Sequence, residues 1–418
     1  MSRPTAHRRG PLPLHALCRT AAAWLLLPLL LPNCTASARY TGGDASDVTT
    51  TPIHATTTIY PIGSNVVLLD TSSSTIGDTT VTSVELSAVD PVSGSTLWEL
   101  TFEVEQDSRI LALHLDERGI LLGINDELHY FDANDGRPRW TRTLTAEPQS
   151  QWQTHGRRLY GTAGTQLVSF RARSGRGFSE RDLGRGMVIS DVGDQRGGTS
   201  VLLYESSNPS SVSMVRAADR SVQLKPLTLN GTVTDSLIGP RGAIIVAYSP
   251  LSGSSNELHL IPTSGEPVRR TVGAMATCYA GTEHVVCFES VHRDRAPTAA
   301  SPLYSGGRRL MLNQGTAFAP SDGLEEPAWS VAFPGEYGVS SMMTVAAGLV
   351  TIDNGVFHTL RATDGHVLSS GTPRMVSDGM NTCTVVSITA THVVEGCYGS
   401  DTPVLRARRM DFILPEEL

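Results

Sequence analysis

Short apolar runs alternate with short polar turns along most of the chain, and their spacing is that of strands rather than helices. The clearest run is residues 128–131, which is short, rich in apolar side chains and suited to a half-buried strand. Asp132 and Gly136 then bound a turn, because aspartate bonds its own backbone and glycine adopts a positive φ without steric cost. Trp140 begins the next strand and offers a large apolar face to a neighbouring unit.

This strand–turn–strand unit repeats along the chain. Residues 86–98 and 128–140 both follow the pattern L-x-x-x-D-x-x-x-G-x-x-x-W, and they lie 42 residues apart. Weaker copies keep the strand and the turn glycine, and Trp329 marks a unit whose turn has drifted. A second apolar run precedes each copy, which makes eight units. The predicted structural repeat positions are Asp90, Gly94, Trp98, Asp132, Gly136, Trp140, Gly175, Gly265 and Gly365.

A repeated four-stranded unit of about 40–50 residues predicts an all-β protein, a β-propeller of antiparallel blades. We expect eight blades, or seven if the unit around residues 287–329 is irregular. The propeller is predicted over residues 57–412, with a C-terminal tail at 413–418. Because the last unit lacks its final strands, residues 57–61 are expected to supply one and close the ring, which removes exposed strand edges.

The repeat resembles that of the pyrroloquinoline-quinone (PQQ)-like propellers. That family includes quinoprotein alcohol dehydrogenases and the propeller lipoprotein of the outer-membrane β-barrel assembly machinery, and the second is nearer in kind. The resemblance covers residues 57–412, and the two units with Trp98 and Trp140 match best. A WD40 propeller is disfavoured because none of the five tryptophans precedes an aspartate. A kelch propeller is disfavoured because the Gly-Gly pairs do not recur at blade spacing.

The N-terminal 33 residues are predicted to be an export signal. Basic residues precede an apolar run at residues 21–31 that is too short to span a bilayer. The run ends at Leu31-Pro-Asn-Cys34, which resembles a bacterial lipobox and makes Cys34 the lipid attachment site. Ordinary cleavage after residues 36–38, Ala-Ser-Ala, is the alternative. Residues 34–56, rich in Thr, Ser, Gly and Asp, are predicted to be a flexible tether.

Four cysteines remain in the predicted propeller, and their placement agrees with export. Cys278 and Cys287 lie symmetrically about one expected hairpin tip, and Cys383 and Cys397 about another. Two local disulfides are expected in an oxidising compartment, with free buried thiols as the alternative. Neither pair has the spacing of a zinc finger.

No residue of the sequence is predicted to be catalytic, to bind a cofactor or to bind a metal. The net charge of −8 and the lack of a basic run argue against nucleic-acid binding. Lys225, the single lysine, follows leucine rather than glycine, which excludes a phosphate-binding P-loop. A calcium loop starting at Asp132 would have Thr143 instead of the closing glutamate. The turn is therefore interpreted as structural.

Three histidines, His129, His259 and His358, share one register of the repeat. They could form a ring of ligands, but a recurring structural position is favoured. A PQQ-dependent enzyme of this family typically has adjacent cysteines beneath the quinone, and this chain has none.

We therefore expect a non-enzymatic, exported, monomeric propeller of a Gram-negative outer membrane or periplasm. It would be held to the membrane by a lipid anchor, and it would bind other envelope proteins, with a role in outer-membrane assembly as one possibility. The alternatives are a divergent quinoprotein oxidoreductase and a propeller that binds glycan or peptidoglycan. Each alternative belongs to a different functional class, because a fold alone does not determine function.

Overall fold

The computed structural model describes residues 48–413 except 77–78, 150, 196, 219–221, 250–254, 273–275, 282, 292–310, 336–340, 347–348, 354–355, 374–382, 389–391 and 399–402. The predicted signal segment, Cys34 and residues 414–418 lie outside this described part. Within it, no helix is long and apolar enough to cross a membrane.

The described residues are almost entirely strands, arranged as eight four-stranded antiparallel blades of a β-propeller. The strand β1 (Val48–Pro52) precedes the first blade. The first three blades are three separate sheets. They contain β2 (Thr58–Ile62), β3 (Asn65–Ile76), β4 (Thr79–Asp90) and β5 (Ser95–Glu105), then β6 (Ile110–Asp116), β7 (Gly119–Ile124), β8 (Glu127–Asp132) and β9 (Pro138–Thr143), then β10 (Gln153–His155), β11 (Arg158–Ala163), β12 (Gln166–Arg171) and β13 (Ser179–Asp182).

The next three blades repeat this arrangement. They contain β14 (Met187–Gln195), β15 (Gly198–Glu205), β16 (Asn208–Arg216) and β17 (Val222–Thr228), then β18 (Thr232–Gly239), β19 (Gly242–Ser249), β20 (Ser255–Pro262) and β21 (Val268–Thr271), then β22 (Thr277–Ala280), β23 (Val285–Val291), β24 (Met311–Phe318) and β25 (Trp329–Gly335). The unit around residues 287–329, which could have been irregular, is the complete sixth blade.

The last two blades share hydrogen bonds. They contain β26 (Ser341–Ala346), β27 (Leu349–Asp353), β28 (Phe357–Arg361) and β29 (Val367–Pro373), then β30 (Cys383–Ile388), β31 (His392–Cys397) and β32 (Val404–Ile413). The eighth blade lacks a fourth strand of its own, and β1 supplies it. This strand runs antiparallel to β32 from the Val48–Arg408 pair to the Pro52–Val404 pair.

The predicted count of eight blades is confirmed, but the predicted closing strand is wrong. Residues 57–61 fall in β2, which pairs with β3 as the first strand of blade 1. The physical reason is that blade 1 needs its own inner strand, and Ile62 of β2 is buried there against blade 2. Closure therefore falls to β1, which lies in the segment predicted to be a tether.

A second set of pairs holds the end of β32. Beyond the residues that pair with β1, β32 pairs with β29 of blade 7, from Met410 with Pro373 to Ile413 with Ser370. The outer edge of β32 is thus covered first by β1 and then by β29. Covering an edge in this way removes unpaired backbone groups that would otherwise template aggregation.

The hydrophobic core lies between blades, not within them. Eight clusters of buried side chains occur, one at each junction of neighbouring blades. For example, Leu86 of blade 1 packs with Ile120 and Phe131 of blade 2, and all three are at most 4% exposed. Alternate residues of a strand face opposite neighbours, so each blade buries both of its faces. A fully buried side chain of this kind contributes about 1.5–3 kcal/mol.

The two faces of the ring differ in their connections. Turns between first and second strands and between third and fourth strands lie on one face, which we call the joint face. Turns between second and third strands lie on the other, which we call the arm face. On the arm face, β3 and β4 of blade 1 have 12 residues each, whereas β7 and β8 have six. This hairpin, the blade-1 arm, therefore projects roughly 20 Å beyond its neighbour.

Candidate functional site

The repeat residues predicted from the sequence meet at the junctions between blades. Trp98, at the start of the outer strand of blade 1, donates its indole N–H to the Ala133 carbonyl of blade 2 over 2.9 Å. Trp140 of blade 2 makes the same bond to Ala172 of blade 3 over 3.0 Å. Each bond satisfies the one polar group of a large apolar side chain, which leaves the ring to pack against the next blade.

The turn glycines are required by these indoles as well as by the turn. Gly136 has a φ of +67°, and a Cβ atom there would lie 2.5 Å from the Trp98 ring. Gly175 has a φ of +61°, and its Cβ would lie 3.1 Å from Trp140. The tryptophan ring of one blade therefore packs directly against the turn glycine of the next blade.

The same joint occurs between blades 6 and 7. Trp329 donates its indole N–H to the Ala362 carbonyl over 3.0 Å, and a Cβ on Gly365 would lie 2.5 Å from its ring. The interpretation of Trp329 as part of a drifted unit is thus confirmed. Gly265 of blade 5 has a positive φ, but the nearest atom to its Cβ position is Pro262 Cγ at 3.8 Å.

A threonine takes the place of tryptophan where the ring closes. Thr49 of β1 donates its hydroxyl to the Val92 carbonyl over 2.7 Å. Its Cγ2 would lie 3.1 Å from a Cβ on Gly94, which has a φ of +71°. The closing strand therefore completes the joint between blade 8 and blade 1, a role that no sequence motif marks.

The aspartates of the repeat stabilise their turns. Oδ1 of Asp90 accepts the Val92 N–H over 2.9 Å. Asp132 accepts the Asn134 N–H over 3.0 Å and two bonds from the Arg139 guanidinium, the shorter 2.6 Å. Burial alone would raise the pKa of the Asp132 carboxyl, but these donors outweigh it and hold the pKa below its ordinary value. Since both carboxylate oxygens are engaged, the plain-turn interpretation fits and the calcium-loop alternative does not.

The three histidines in one register have local partners. His129 lies 3.1 Å from Glu127, His259 lies 3.3 Å from Glu257, and fully buried His358 lies 2.7 Å from the Ser370 hydroxyl. They stand in three different blades, and each partner belongs to the same blade as its histidine. The structural interpretation of this register therefore agrees with the described contacts.

Both predicted cysteine pairs are disulfides in the structure. Cys278 bonds Cys287, and Cys383 bonds Cys397. Within the described part of the chain, Cys383, Glu395 and Cys397 form the only group whose donor atoms are near enough to hold a metal ion. The two sulfurs bond each other, and Glu395 accepts bonds from Arg406 and Arg408. These engaged donors do not fit a metal centre.

Polar side chains missed by the sequence analysis join the inner strands of neighbouring blades. A bulge in β14 precedes Asp191, whose carboxylate accepts the Ile238 N–H of blade 5 over 2.6 Å. A bulge in β18 precedes Asp235, which accepts the Ala280 N–H of blade 6 over 2.7 Å. The available signal was weak: Asp191 follows Ser190, and Asp235 lies between Thr234 and Ser236, each within an otherwise strand-like segment. These carboxylates form a chain of clasps across blades 4, 5 and 6.

The charged form of the Asp191 carboxylate is destabilised at neutral pH by its burial. Burial, with a further contribution from the charge of Asp235, raises the pKa of Asp191 to about 6, although the Ile238 and Val192 N–H groups oppose the rise. Burial also raises the pKa of Asp235. Ser190 and Ser236 share a hydroxyl bond of 2.6 Å at the same junction.

A groove on the joint face lies between blades 2 and 3. It has a volume of about 340 Å³ and is lined by Asp116, Glu117, Arg118, Thr154 and Gly156. Its lining carries both signs of charge, and Arg118 bonds the Gly156 carbonyl across it over 3.4 Å. This arrangement fits a junction of exposed turns better than a small-molecule site.

Residues 82–219, which run from β4 of blade 1 into blade 4, match the family model described as outer membrane protein assembly factor BamB. The PQQ-like resemblance is confirmed over this segment. No curated protein matches the chain. The PQQ-like segment contains the two best joints, at Trp98 and Trp140, so the joint geometry and the family match fall on the same blades.

Several solved structures are similar to this chain over most of its length. BamB from Moraxella catarrhalis is 13% identical, with 86% of this chain and 97% of that one covered and a TM-score of 0.39. The computationally designed Ika8 protein is 9% identical, with 85% and 98% covered and a TM-score of 0.47. The dihydro-heme d1 dehydrogenase NirN is 12% identical, with 78% and 72% covered and a TM-score of 0.41. Such values transfer no function to this chain.

The tryptophan joint can be tested by a matched pair of glycine substitutions. Gly136 and Gly184 both have a positive φ, of +67° and +74°, but a Cβ at Gly184 would meet no atom within 4 Å. We expect Gly184→Ala to cost about 1–2 kcal/mol of unfolding free energy from the backbone alone. Gly136→Ala should cost about 1–3 kcal/mol more, because the Trp98 ring must move. Urea unfolding measures both, and equal losses would contradict the joint.

The clasp at Asp191 predicts a pH dependence of stability. Its folded pKa of about 6 lies above the ordinary value for an aspartate, so its contribution to stability is fully present below about pH 4 and is lost as pH rises through 6. Asp191→Asn should remove this loss, which amounts to about 3 kcal/mol for a shift of this size. The measurement is the unfolding midpoint of both proteins from pH 4 to pH 8. Ser190→Ala, which removes a bond at this junction without a charge, should keep the wild-type slope. A slope unchanged by Asp191→Asn would contradict the assignment.

Proposed function

We propose that this protein is a non-enzymatic scaffold of the bacterial envelope, exported and lipid-anchored, that binds another envelope protein during outer-membrane assembly. The observation that carries the proposal is the match of residues 82–219 to the assembly-factor family model. The repeat residues within this segment, Trp98, Gly136 and Trp140, are engaged in the joints, so a partner would bind another surface of the ring.

The blade-1 arm is the surface that best suits a protein partner. Residues 71–75 on its first strand are all exposed and consist of threonine and serine. Cross-strand hydroxyl pairs, Ser73 with Thr82 at 3.4 Å and Thr75 with Thr80 at 3.2 Å, hold the arm together. A projecting, internally bonded hairpin is preorganised, so a partner loses little entropy in ordering it.

Export is supported by the disulfides and by the N-terminal sequence. Both disulfides require an oxidising compartment in which to persist. The basic and apolar segments before Cys34 have the order of an export signal, although they lie outside the described residues. These two features are independent, because one concerns the propeller and the other the segment before it.

Site-specific photocrosslinking tests the scaffold proposal. A photoreactive amino acid is placed at Ser74 on the arm, and in a matched variant at Ser174, which is also exposed but lies on the joint face. Irradiation of intact cells should yield a discrete adduct with an envelope protein at Ser74, identified by mass spectrometry, and no such adduct at Ser174. The physical reason is that only the arm would lie within bonding distance of the partner.

Two results would count against this proposal. Absence of an adduct at Ser74, together with failure of general crosslinking of membranes to enrich any envelope protein, would reject the scaffold. Equal adducts at both positions would reject the arm as the specific surface.

The lipid anchor has its own test. Cells labelled with radioactive palmitate should incorporate label into the wild-type chain and not into Cys34→Ala, because acylation needs the thiol of that residue. The variant should also move from the membrane fraction to the soluble fraction, because it lacks the acyl chains that would hold the protein to the bilayer. Cys18→Ala, which alters the other N-terminal cysteine, is the control and should keep the label. Label retained in Cys34→Ala would reject Cys34 as the attachment site, and a wild-type chain without label would favour ordinary cleavage after residues 36–38.

A further inference from the structure

The two disulfides occupy equivalent places in their blades but different surroundings. Each joins the first strand of a blade to the second: Cys278 pairs in register with Cys287 across β22 and β23, and Cys383 with Cys397 across β30 and β31. The two disulfides can therefore be compared within one chain, because their backbone positions match and the side chains around them differ.

The disulfide of blade 6 is packed in an apolar cluster. Cys278 is 7% exposed and Cys287 is 1% exposed, and both belong to the core between blades 5 and 6 with Leu237, Ile244 and Phe318. Apolar surroundings disfavour a thiolate, because a buried charge loses its hydration. Reduction of this pair would thus yield thiols that gain no stabilisation from ionisation, so the reduced form is less favoured here than beside a cation.

The disulfide of blade 8 lies against a guanidinium. Nη2 of Arg406 is 3.1 Å from Sγ of Cys383. The same arginine, 6% exposed, bonds Glu395 with its Nε over 3.0 Å, and Arg408 bonds the other oxygen of that carboxylate. These bonds on the neighbouring strand hold the Arg406 side chain in place. Cys397 is fully buried, whereas Cys383 is half-buried and is thus the more accessible sulfur.

Few apolar side chains are buried in the described part of the junction between blades 7 and 8. Among the described residues, its hydrophobic cluster has three buried members, Phe357, Ile388 and Val393, fewer than any other junction. The Arg406–Glu395 pair lies on the face of blade 8 that contains Val393, as strand alternation requires. Two arginines and one carboxylate lie at this junction: Glu395 is near both sulfurs, but Arg406 and Arg408 engage both of its oxygens. A thiolate on Cys383 would therefore lie against the Arg406 guanidinium in a group with one net positive charge.

A fixed cation beside a sulfur stabilises its reduced form more than its oxidised form. A disulfide sulfur is a weak acceptor, whereas a thiolate carries a full charge, and arginine stays protonated at all physiological pH values. Cationic surroundings accordingly raise the thiolate fraction of a cysteine and make its disulfide more oxidising.

We propose that Cys383–Cys397 is a thiol–disulfide exchange site that reacts with a dithiol protein, and that Cys278–Cys287 is a purely structural bond. The proposal is independent of the scaffold function. It assigns Arg406 as the residue that positions a positive charge against the thiolate of Cys383.

The exchange proceeds in two displacements. A thiolate of the dithiol attacks Sγ of Cys383, forming a mixed disulfide, and the electron pair of the broken S–S bond leaves on Cys397, which takes up a proton. The second thiol of the reductant then loses its proton and attacks its own partner sulfur, releasing Cys383 as a thiolate against Arg406. The dithiol is oxidised to a disulfide by two electrons, and Cys383–Cys397 is reduced by the same two.

The fold allows this reaction without opening the ring. β30 pairs only with β31 among the described strands, so the disulfide is a covalent cross-link that adds to the chain connection between these two strands. Closure depends on β32, which keeps its pairs with β1 and β29 whether or not the disulfide is intact. Reduction would therefore loosen one inner strand while the ring stays closed.

A redox titration of the full mature chain tests the proposal. Intact mass first verifies two disulfides, as four hydrogens fewer than the reduced chain. The protein is then equilibrated at pH 8 in buffers of reduced and oxidised glutathione, alkylated, and digested, so that each cysteine pair is quantified separately. Cys383–Cys397 should reach half-reduction in a buffer at least about threefold less reducing than Cys278–Cys287, because the Arg406 guanidinium stabilises the thiolate of the reduced form.

Arginine variants separate a charge effect from loosened packing. Arg406→Met should move the Cys383–Cys397 midpoint about threefold toward more reducing buffers, because the thiolate loses its cation. Arg406→Lys, which keeps the charge, should stay near wild type. Arg408→Met removes the other guanidinium that bonds Glu395 and should move the midpoint less than Arg406→Met. The Cys278–Cys287 midpoint should remain fixed throughout and reports that the propeller is folded.

Three outcomes would overturn the assignment. Equal midpoints for the two disulfides in the wild-type chain would reject it without any variant. A midpoint that moves toward less reducing buffers in Arg406→Met would show that the arginine only packs the junction. Equal shifts in Arg406→Met and Arg408→Met would show that the contact with sulfur is irrelevant.

Discussion

The pairing of β1 with β32 is the interaction on which the rest of this structure depends. Every blade has two apolar faces, and a sheet buries both only when it has a neighbour on each side. Blades 1 and 8 acquire their second neighbour when the ring closes, and β1 is the strand that completes blade 8. Without it, β32 would expose its edge and the Gly94 turn would lose the Thr49 hydroxyl.

Neighbouring blades are held together by different kinds of contact at different junctions. A tryptophan resting on a glycine joins blades 1 and 2, 2 and 3, and 6 and 7. Buried carboxylates that accept backbone N–H groups join the inner strands of blades 4, 5 and 6. An arginine–glutamate pair lies at the junction of blades 7 and 8. The repeat can therefore drift in sequence, because a lost tryptophan is replaced by another contact that holds the same two sheets together.

This use of the repeat residues bears on function. Trp98 and Trp140 donate their indole N–H groups to carbonyls of the next blade. Both carboxylate oxygens of Asp132 accept hydrogen bonds from Asn134 and Arg139. The residues that carry the resemblance are thus engaged in the joints and turns of the frame. The blade-1 arm projects from this frame, and its exposed threonine and serine side chains contrast with the apolar junctions.

The sequence by itself determined the features that depend on near neighbours. The repeat period, the positive φ of Gly94, Gly136, Gly175, Gly265 and Gly365, and the cysteine pairs across short hairpins all follow from residues a few positions apart. Local turn chemistry is specified in this way because glycine and aspartate act on their own backbone. The eight-blade count followed from adding such units.

Only the tertiary structure decided which strand closes the ring and which polar groups meet across it. Val48 pairs with Arg408, and Asp235 bonds Ala280, 45 residues away. The strand β1 has five residues, three of them threonine, and looks like part of a linker because backbone pairing rather than burial holds it in place. The contact of Arg406 with Cys383 likewise arises from strands placed side by side. Such contacts exist only once the blades are assembled, since no local pattern encodes a partner that the closed ring brings near.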